Sequence, residues 1–95
     1  MPKYEVMFIL HAKLEEEQRE EAVARFKAYV EDNGGAVSEI DQWGMRRLAY
    51  EIEDEREGYY VVMNFEGDNK VLQELERRFK LSENVLRYLI SKVEE

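Results

Sequence analysis

The feature that most constrains the fold is a hydrophobic period that changes from two residues to 3.6 residues and back again, twice along the chain. Period two is typical of strands, and a single apolar stripe of period 3.6 is typical of an amphipathic helix. The segments follow in this order: a strand over 4–10, a helix over 15–32, a strand over 36–53, a strand over 59–66, a helix after the predicted N-cap Asp68, and a strand over 84–93. The predicted element order is therefore β-α-β-β-α-β.

This order is typical of the α+β class with a ferredoxin-like arrangement. Right-handed crossovers place both helices on one face of a four-stranded antiparallel sheet. The length of 95 residues, with no linker or internal repeat, predicts one domain over residues 1–95. The last strand is expected to place Leu86, Tyr88 and Ile90 on the core face.

The second face of the sheet is predicted to be open. Alternation places five apolar residues on it: Met7, Ile9, Tyr60, Val62 and Leu89. A contiguous apolar surface of this kind marks an interaction site in many soluble proteins, although scattered apolar surface is also normal. We interpret this face as a docking surface for a protein partner.

Composition excludes several classes of site. There is no cysteine and one histidine, His11, so disulfides, Cys-based zinc sites and Ser-His-Asp triads lack the residues they need. No apolar run approaches the roughly 20 residues of a membrane span. No phosphate-binding loop or nucleophile motif is present. The sequence predicts a non-enzymatic protein with no cofactor, no metal ion, no small-molecule substrate and no membrane association, and it predicts His11 in a surface loop.

Two stretches carry residues suited to macromolecular recognition. In the first, Trp43 precedes Arg46 and Arg47, which point to opposite faces of a strand; the alternative is an edge strand whose charges prevent aggregation. In the second, Lys80 and Arg87 flank the corner between helix and strand, with the polar Asn84 between them. These three groups suit phosphate contacts, although basic residues at a helix end also complement its dipole.

The strand after Trp43 also carries a family signature. Residues 44–52, Gly-Met-Arg-Arg-Leu-Ala-Tyr-Glu-Ile, resemble the G-x-R-x-L-A-Y-x-I pattern of the sixth protein of the bacterial small ribosomal subunit. Lys3-Tyr4-Glu5 and Gly58-Tyr59-Tyr60 are similar to that family's opening and third strand. The resemblance runs from residue 1 to about residue 93.

The resemblance implies a structural role in translation and subunit assembly, in the cytoplasmic ribosome. It implies a heterodimer with the eighteenth small-subunit protein, bound to the central domain of small-subunit ribosomal RNA. By position, the implied RNA contacts are Lys3, Arg46, Arg47, Tyr50, Lys80, Asn84 and Arg87. The second strand and the open face are predicted to form the partner surface, with these residues: Met7, Ile9, Trp43, Met45, Leu48, Ala49, Tyr60 and Val62.

Net charge sets a condition on RNA binding. The formal charge is −8 at pH 7, so the whole molecule repels a polyanion at long range. Binding is therefore expected to depend on a basic partner.

Two other classes share this fold: small-molecule regulatory modules, which fold alone does not exclude, and acylphosphatase-type enzymes. The second class needs an anion-cradling loop after the first strand, and residues 11–16 lack glycine and are acid-rich here.

Overall fold

The structure, a computed structural model, describes residues 1–93; Glu94 and Glu95 lie outside the described residues. Within residues 1–93 the elements are β1 (Lys3–His11), α1 (Glu16–Asp32), β2 (Ala36–Ile52), β3 (Glu55–Glu66), α2 (Asn69–Leu81) and β4 (Val85–Lys92). The strands form one sheet in the order β2-β3-β1-β4, and the three strand pairs are antiparallel. The predicted ferredoxin-like fold is confirmed.

The core lies between the two helices and one face of the sheet. Alternate residues of β1, namely Val6, Phe8 and Leu10, are fully buried on this face. The Phe8 ring lies 5.2 Å, centroid to centroid, from both Phe26 of α1 and Phe79 of α2, and those two rings are 4.3 Å apart. Burying side chains of this size stabilises by about 1.5–3 kcal/mol each. This trio therefore joins both helices to the central strand.

The end of α1 and the beginning of α2 are each set by specific residues. Helix α1 stops at Asn33, and Gly34 follows with φ +92°, a left-handed conformation that glycine adopts without steric cost. Helix α2 begins at Asp68, whose carboxylate accepts hydrogen bonds from the backbone N–H groups of Lys70 and Val71. The predicted N-cap is thus confirmed, and it satisfies two donors that the helix itself leaves unpaired.

The hairpin between β2 and β3 is tighter than the sequence predicts. The expected charged turn over 54–58 is mostly strand, because β3 begins at Glu55 rather than at Tyr59. The turn consists of Glu53 and Asp54, with φ +49° and +65°. Two consecutive left-handed residues suit the right-handed twist of a two-residue hairpin. The sequence lacks the Asn-Gly or Asp-Gly pair that usually signals this turn, so the prediction placed the turn too late.

A second difference lies in β4. The sequence predicts Leu86 on the core face, but Val85 packs against the core in its place, together with Tyr88 and Ile90. The cause is a register shift between β1 and β4, where Ile9 pairs with Arg87 and Leu10 with Val85. Leu86 is the extra residue of this bulge, so strict alternation fails there. A bulge is also present near Gly44, where the sequence predicted one.

Candidate RNA and partner interface

The last part of β2 leaves the regular ladder and passes over the open face of the sheet. Arg47 pairs with Glu57 and Ile52 pairs with Glu55, so residues 48–51 stand opposite Arg56 alone. We call residues 48–52 the bridging segment. Its Tyr50 hydroxyl accepts a hydrogen bond from the guanidinium of Arg87 on β4. Because β2 and β4 are opposite edges of the sheet, this contact joins the two edges across the face.

Gly58 makes room for the bridging segment. A Cβ atom at this position would lie 2.3 Å from Ile9 Cγ2 and 3.5 Å from Leu48 Cδ2. Any side chain at residue 58 would therefore overlap with Ile9, next to which Leu48 packs. With glycine there, Leu48 is buried although its neighbours in β2 are exposed.

The prediction of a fully open sheet face is wrong, because the bridging segment covers part of that face. Ile9 and Val62 are 4% and 7% exposed, and Leu48 is 7% exposed, so these three are buried in the chain's own packing. Met7 and Tyr60 are half-buried. The face is therefore partly covered before any partner binds, and alternation alone does not reveal a strand segment that folds back over its own sheet.

A cavity of about 250 Å³ remains between the bridging segment and the sheet. Its walls are mainly apolar and come from β1, β3, β4 and the bridging segment, including Met7, Ala49 and Tyr60. Ile52 and Leu89 also line it but are absent from the predicted partner residues. Alternation already places Leu89 on the predicted docking face, and Ile52 could have been found because it shares the side of β2 that carries Leu48.

Trp43 is an exposed aromatic side chain of β2. Its indole is 44% exposed and lies parallel to the Tyr60 ring, with 6.4 Å between the centroids. The Arg46 guanidinium lies 4.9 Å from the Trp43 ring centre, and Trp43 Nε1 donates a hydrogen bond to Asp41. Met45 is also 44% exposed. An ordered, exposed aromatic side chain of this kind suits a partner contact.

A basic corner forms where α2 meets β4. Lys80 and Arg87 line one cleft of about 380 Å³ at the corner where the sequence predicts both residues. Asn84 is exposed, and its backbone carbonyl oxygen accepts a 3.0 Å hydrogen bond from the His11 backbone N–H. This bond ties the corner to β1. Lys80 Nζ lies 3.6 Å from Glu76, in an exposed pair that holds the lysine only weakly.

The other predicted RNA contacts lie elsewhere. Arg46 packs on Trp43, while Arg47 is exposed on the edge strand and forms no ion pair with any residue in the range 1–93. In the strand register, Lys3 stands opposite Glu66 at the far end of β1. It is six residues from Ile9, which stands opposite Arg87. At about 3.4 Å per residue, Lys3 is roughly 20 Å from the corner. The structure therefore places Lys80 and Arg87 in one cleft, whereas Asn84 lines the groove between the two helices and Lys3 lies far from both.

Two further arginines near the corner are already engaged. Arg77 Nη2 and Arg78 Nε donate hydrogen bonds of 3.1 and 2.9 Å to the Glu74 carboxylate. These bonds from Arg77 and Arg78 hold the pKa of Glu74 below its ordinary value. Because Glu74 stays ionised at neutral pH, it offsets part of the positive charge that the sequence places at this helix end.

His11 is not in a surface loop, as the sequence predicted, but ends β1 and is buried. Its Nδ1 and Nε2 atoms lie 3.5 Å from Glu55 and 3.7 Å from Glu53, since the tight β2–β3 turn closes over the end of β1. Two carboxylates facing the imidazole would repel a phosphate here.

Within residues 1–93 no group of three or more His, Cys, Asp or Glu residues is arranged to hold a metal ion. Neither helix of that range is long and apolar enough to cross a membrane.

Comparison with known proteins settles which family this geometry belongs to. The family model described as ribosomal protein S6 matches residues 3–92. The chain belongs to the ribosomal protein S6 family. As an S6 family member, it is a ribosomal protein of the small subunit, and its location is the cytoplasmic ribosome.

Full-length relatives and a solved structure agree with this assignment. The chain is 50% identical to small ribosomal subunit protein bS6 of Thermoanaerobacter pseudethanolicus, over all of both chains. It is 54% identical to bS6 of Natranaerobius thermophilus, over all of this chain and 99% of the relative. The crystal structure of 30S ribosomal protein S6 from Thermotoga maritima superposes with a TM-score of 0.92 at 35% identity. That superposition covers 97% of this chain and 87% of the other.

Proposed function

We propose that this S6 family member binds the central domain of small-subunit ribosomal RNA as a heterodimer with the eighteenth small-subunit protein. The basic corner contacts RNA, and β2 together with the partly covered sheet face contacts the protein partner. Its role is structural and non-catalytic, in translation and subunit assembly.

The observation that carries this proposal is the adjacency of a cleft that holds two cations, beside Glu53, and an apolar cavity. Lys80 and Arg87 line the cleft at the corner, and Arg87 also lines the apolar cavity on the sheet face. A protein seated on the face would therefore lie beside any RNA bound at the corner. This arrangement supports joint binding better than two separate events.

The charges of the chain explain why RNA binding needs the partner. The net charge is −8, and the corner offers only a few cations. The engaged pairs of Arg77 and Arg78 with Glu74 reduce the local positive potential further. A basic partner would add phosphate contacts at short range, where salt screens long-range repulsion.

The volume of the apolar cavity argues against a drug-sized ligand at this site. Ligand pockets for drug-sized molecules are typically about 300–1,000 Å³ and mostly enclosed. The apolar cavity under the bridging segment has about 250 Å³ and opens toward solvent on the sheet face. It suits side chains of a protein better than a metabolite.

The test of this function is a filter-binding titration of central-domain ribosomal RNA at several salt concentrations, with and without the partner. Each neutralised phosphate contributes about −0.7 to −0.9 to the slope of log affinity against log salt. For roughly three phosphate contacts by the isolated chain we expect a slope of about −2 to −3 and an affinity no better than micromolar. With the partner, affinity should rise strongly and the slope should steepen.

A pair of variants checks that the corner is responsible. Lys80→Ala removes a corner cation and should make the slope of the complex shallower by about 0.7–0.9. Lys27→Ala removes an exposed lysine from α1 and should leave the slope unchanged. Tight and salt-steep RNA binding by the isolated chain would contradict the proposal, as would equal effects of the two variants.

A further inference from the structure

Arg87 stands between two surfaces. Its side chain lines both the cleft at the basic corner and the apolar cavity beneath the bridging segment. Its guanidinium also donates a hydrogen bond to Tyr50 and lies 5.7 Å from the centre of the Tyr50 ring. One side chain therefore takes part in the predicted RNA surface and holds a segment that covers the predicted partner surface.

The bridging segment is attached to β3 at its two ends, through Leu48 and Ile52, and to β4 through one side chain contact. Residues 48–51 stand opposite a single residue of β3, so regular ladder pairing is interrupted along them. Glu51 pairs with Arg56 at 3.0 Å, but both side chains are exposed, and such pairs contribute little. Leu48 packs beside Gly58, and Tyr50 binds Arg87. The tyrosine contact is thus the attachment that joins this segment to the far edge of the sheet.

We propose that the Tyr50–Arg87 contact couples RNA binding to partner binding, an inference that rests on the function proposed above. A phosphate at the corner would attract Arg87 as a full anion and could accept two parallel N–H bonds, whereas the neutral Tyr50 phenol offers a single uncharged acceptor. Tyr50 then loses its donor, and the bridging segment is released from β4. Apolar side chains beneath it, including Met7 and Ile9, become accessible to the protein partner.

The coupling is reciprocal, because linkage requires each ligand to change the affinity of the other by the same factor. A partner that displaces the bridging segment would free the Arg87 guanidinium for a phosphate. In the isolated chain the same guanidinium remains engaged with Tyr50. Weak RNA binding by the free chain therefore has a local cause in addition to the net charge of −8.

Tyr50→Phe tests this coupling, because it removes the hydroxyl and keeps the ring. We would measure the affinity of the protein partner by calorimetry, with and without a central-domain ribosomal RNA fragment. In the unaltered chain RNA should raise partner affinity by at least about fivefold, the lower end of typical couplings. In Tyr50→Phe the RNA-free partner affinity should rise, and the RNA-dependent factor should fall below about twofold. Loss of a direct Tyr50–RNA contact would not raise the RNA-free affinity.

Tyr59→Phe is the matched control. Its hydroxyl donates a 2.8 Å hydrogen bond to Gln42, and its ring packs against the core on the other side of the sheet. This variant should keep the coupling factor of the unaltered chain. Hydrogen exchange on the isolated chain gives a second readout: backbone amides of residues 48–52 should exchange faster in Tyr50→Phe alone.

The outcomes separate the two proposals. Failure of the unaltered chain to bind RNA and partner together would remove the proposed function and this inference with it. Joint binding with an unchanged coupling factor in Tyr50→Phe would overturn the inference alone. Unchanged exchange of residues 48–52 in that variant would do the same.

Discussion

At the scale of single residues, Gly58 shows how an absent side chain shapes a surface. The Ile9 side chain occupies the space beside the Cα of residue 58, and Leu48 of the bridging segment packs next to it. Gly58→Ala would place a methyl group 2.3 Å from Ile9 Cγ2, which forces a buried side chain to move. Such overpacking costs about 1–3 kcal/mol. Alanine is favoured over glycine in a strand by roughly 0.5–1 kcal/mol, which offsets part of that loss.

We therefore expect Gly58→Ala to lower the free energy of unfolding by about 1–2 kcal/mol in a urea titration. The control is the same change in an Ile9→Ala background, where the obstructing methyl group is gone. There the substitution should be close to neutral. An equal loss in both backgrounds would show that contact with Ile9 is not the cause.

Trp43 carries the clearest single-residue prediction about the partner surface. The indole is exposed yet ordered by Tyr60, Arg46 and Asp41, so little conformational entropy remains to be lost on binding. Truncation of a central aromatic anchor costs about 2 kcal/mol or more of binding free energy. We expect Trp43→Ala to weaken partner binding by that amount in calorimetry, with the fold retained.

Leu81→Ala is the matched control for Trp43→Ala. Leu81 is 65% exposed at the end of α2 and lines a groove between the two helices, away from β2. Its truncation should leave partner affinity unchanged. If Trp43→Ala bound the partner as tightly as Leu81→Ala, Trp43 would lie outside the interface.

At the scale of elements, the stability of α2 depends on the N-cap residue that precedes it. The Asp68 carboxylate satisfies two N–H groups that the helix leaves unpaired, and α2 carries Val71, Leu75 and Phe79 into the core. Asp68→Ala should lower stability by about 1 kcal/mol, the usual effect of losing a side-chain N-cap. Asp68→Asn retains an acceptor and should cost much less. Thermal unfolding of both variants distinguishes loss of the cap from loss of the negative charge.

The elements themselves were predictable from sequence because burial on one side imposes a regular period. Helix α1, capped helix α2 and the faces of β1 follow directly from it. Prediction failed where local geometry departs from the period. Leu86 is the extra residue of a bulge, and the turn at Glu53 adopts a left-handed backbone that no glycine or asparagine announces. These departures depend on pairing across strands, which a single strand's pattern does not contain.

At the scale of the whole molecule, the site was less predictable than the fold. The corner formed by Lys80 and Arg87 followed from its position between two elements, and in the structure both side chains line one cleft. The burial of Ile9 and Leu48 did not follow, because the two side chains pack beside Gly58, where β2 crosses the face of its own sheet. The environment of His11 was missed for a related reason, since its two carboxylate neighbours come from the distant hairpin turn.

The position of Arg87 between two cavities also has an evolutionary consequence. Exposed residues usually drift freely, because few contacts depend on them. Tyr50 and Arg87 are both exposed, yet a change in either alters the other's only cross-sheet hydrogen bond within residues 1–93. Selection on one surface of the protein would then act on the other through this pair. Among S6 family members the two positions should be inherited together, and replacements at one should be accompanied by replacements at the other.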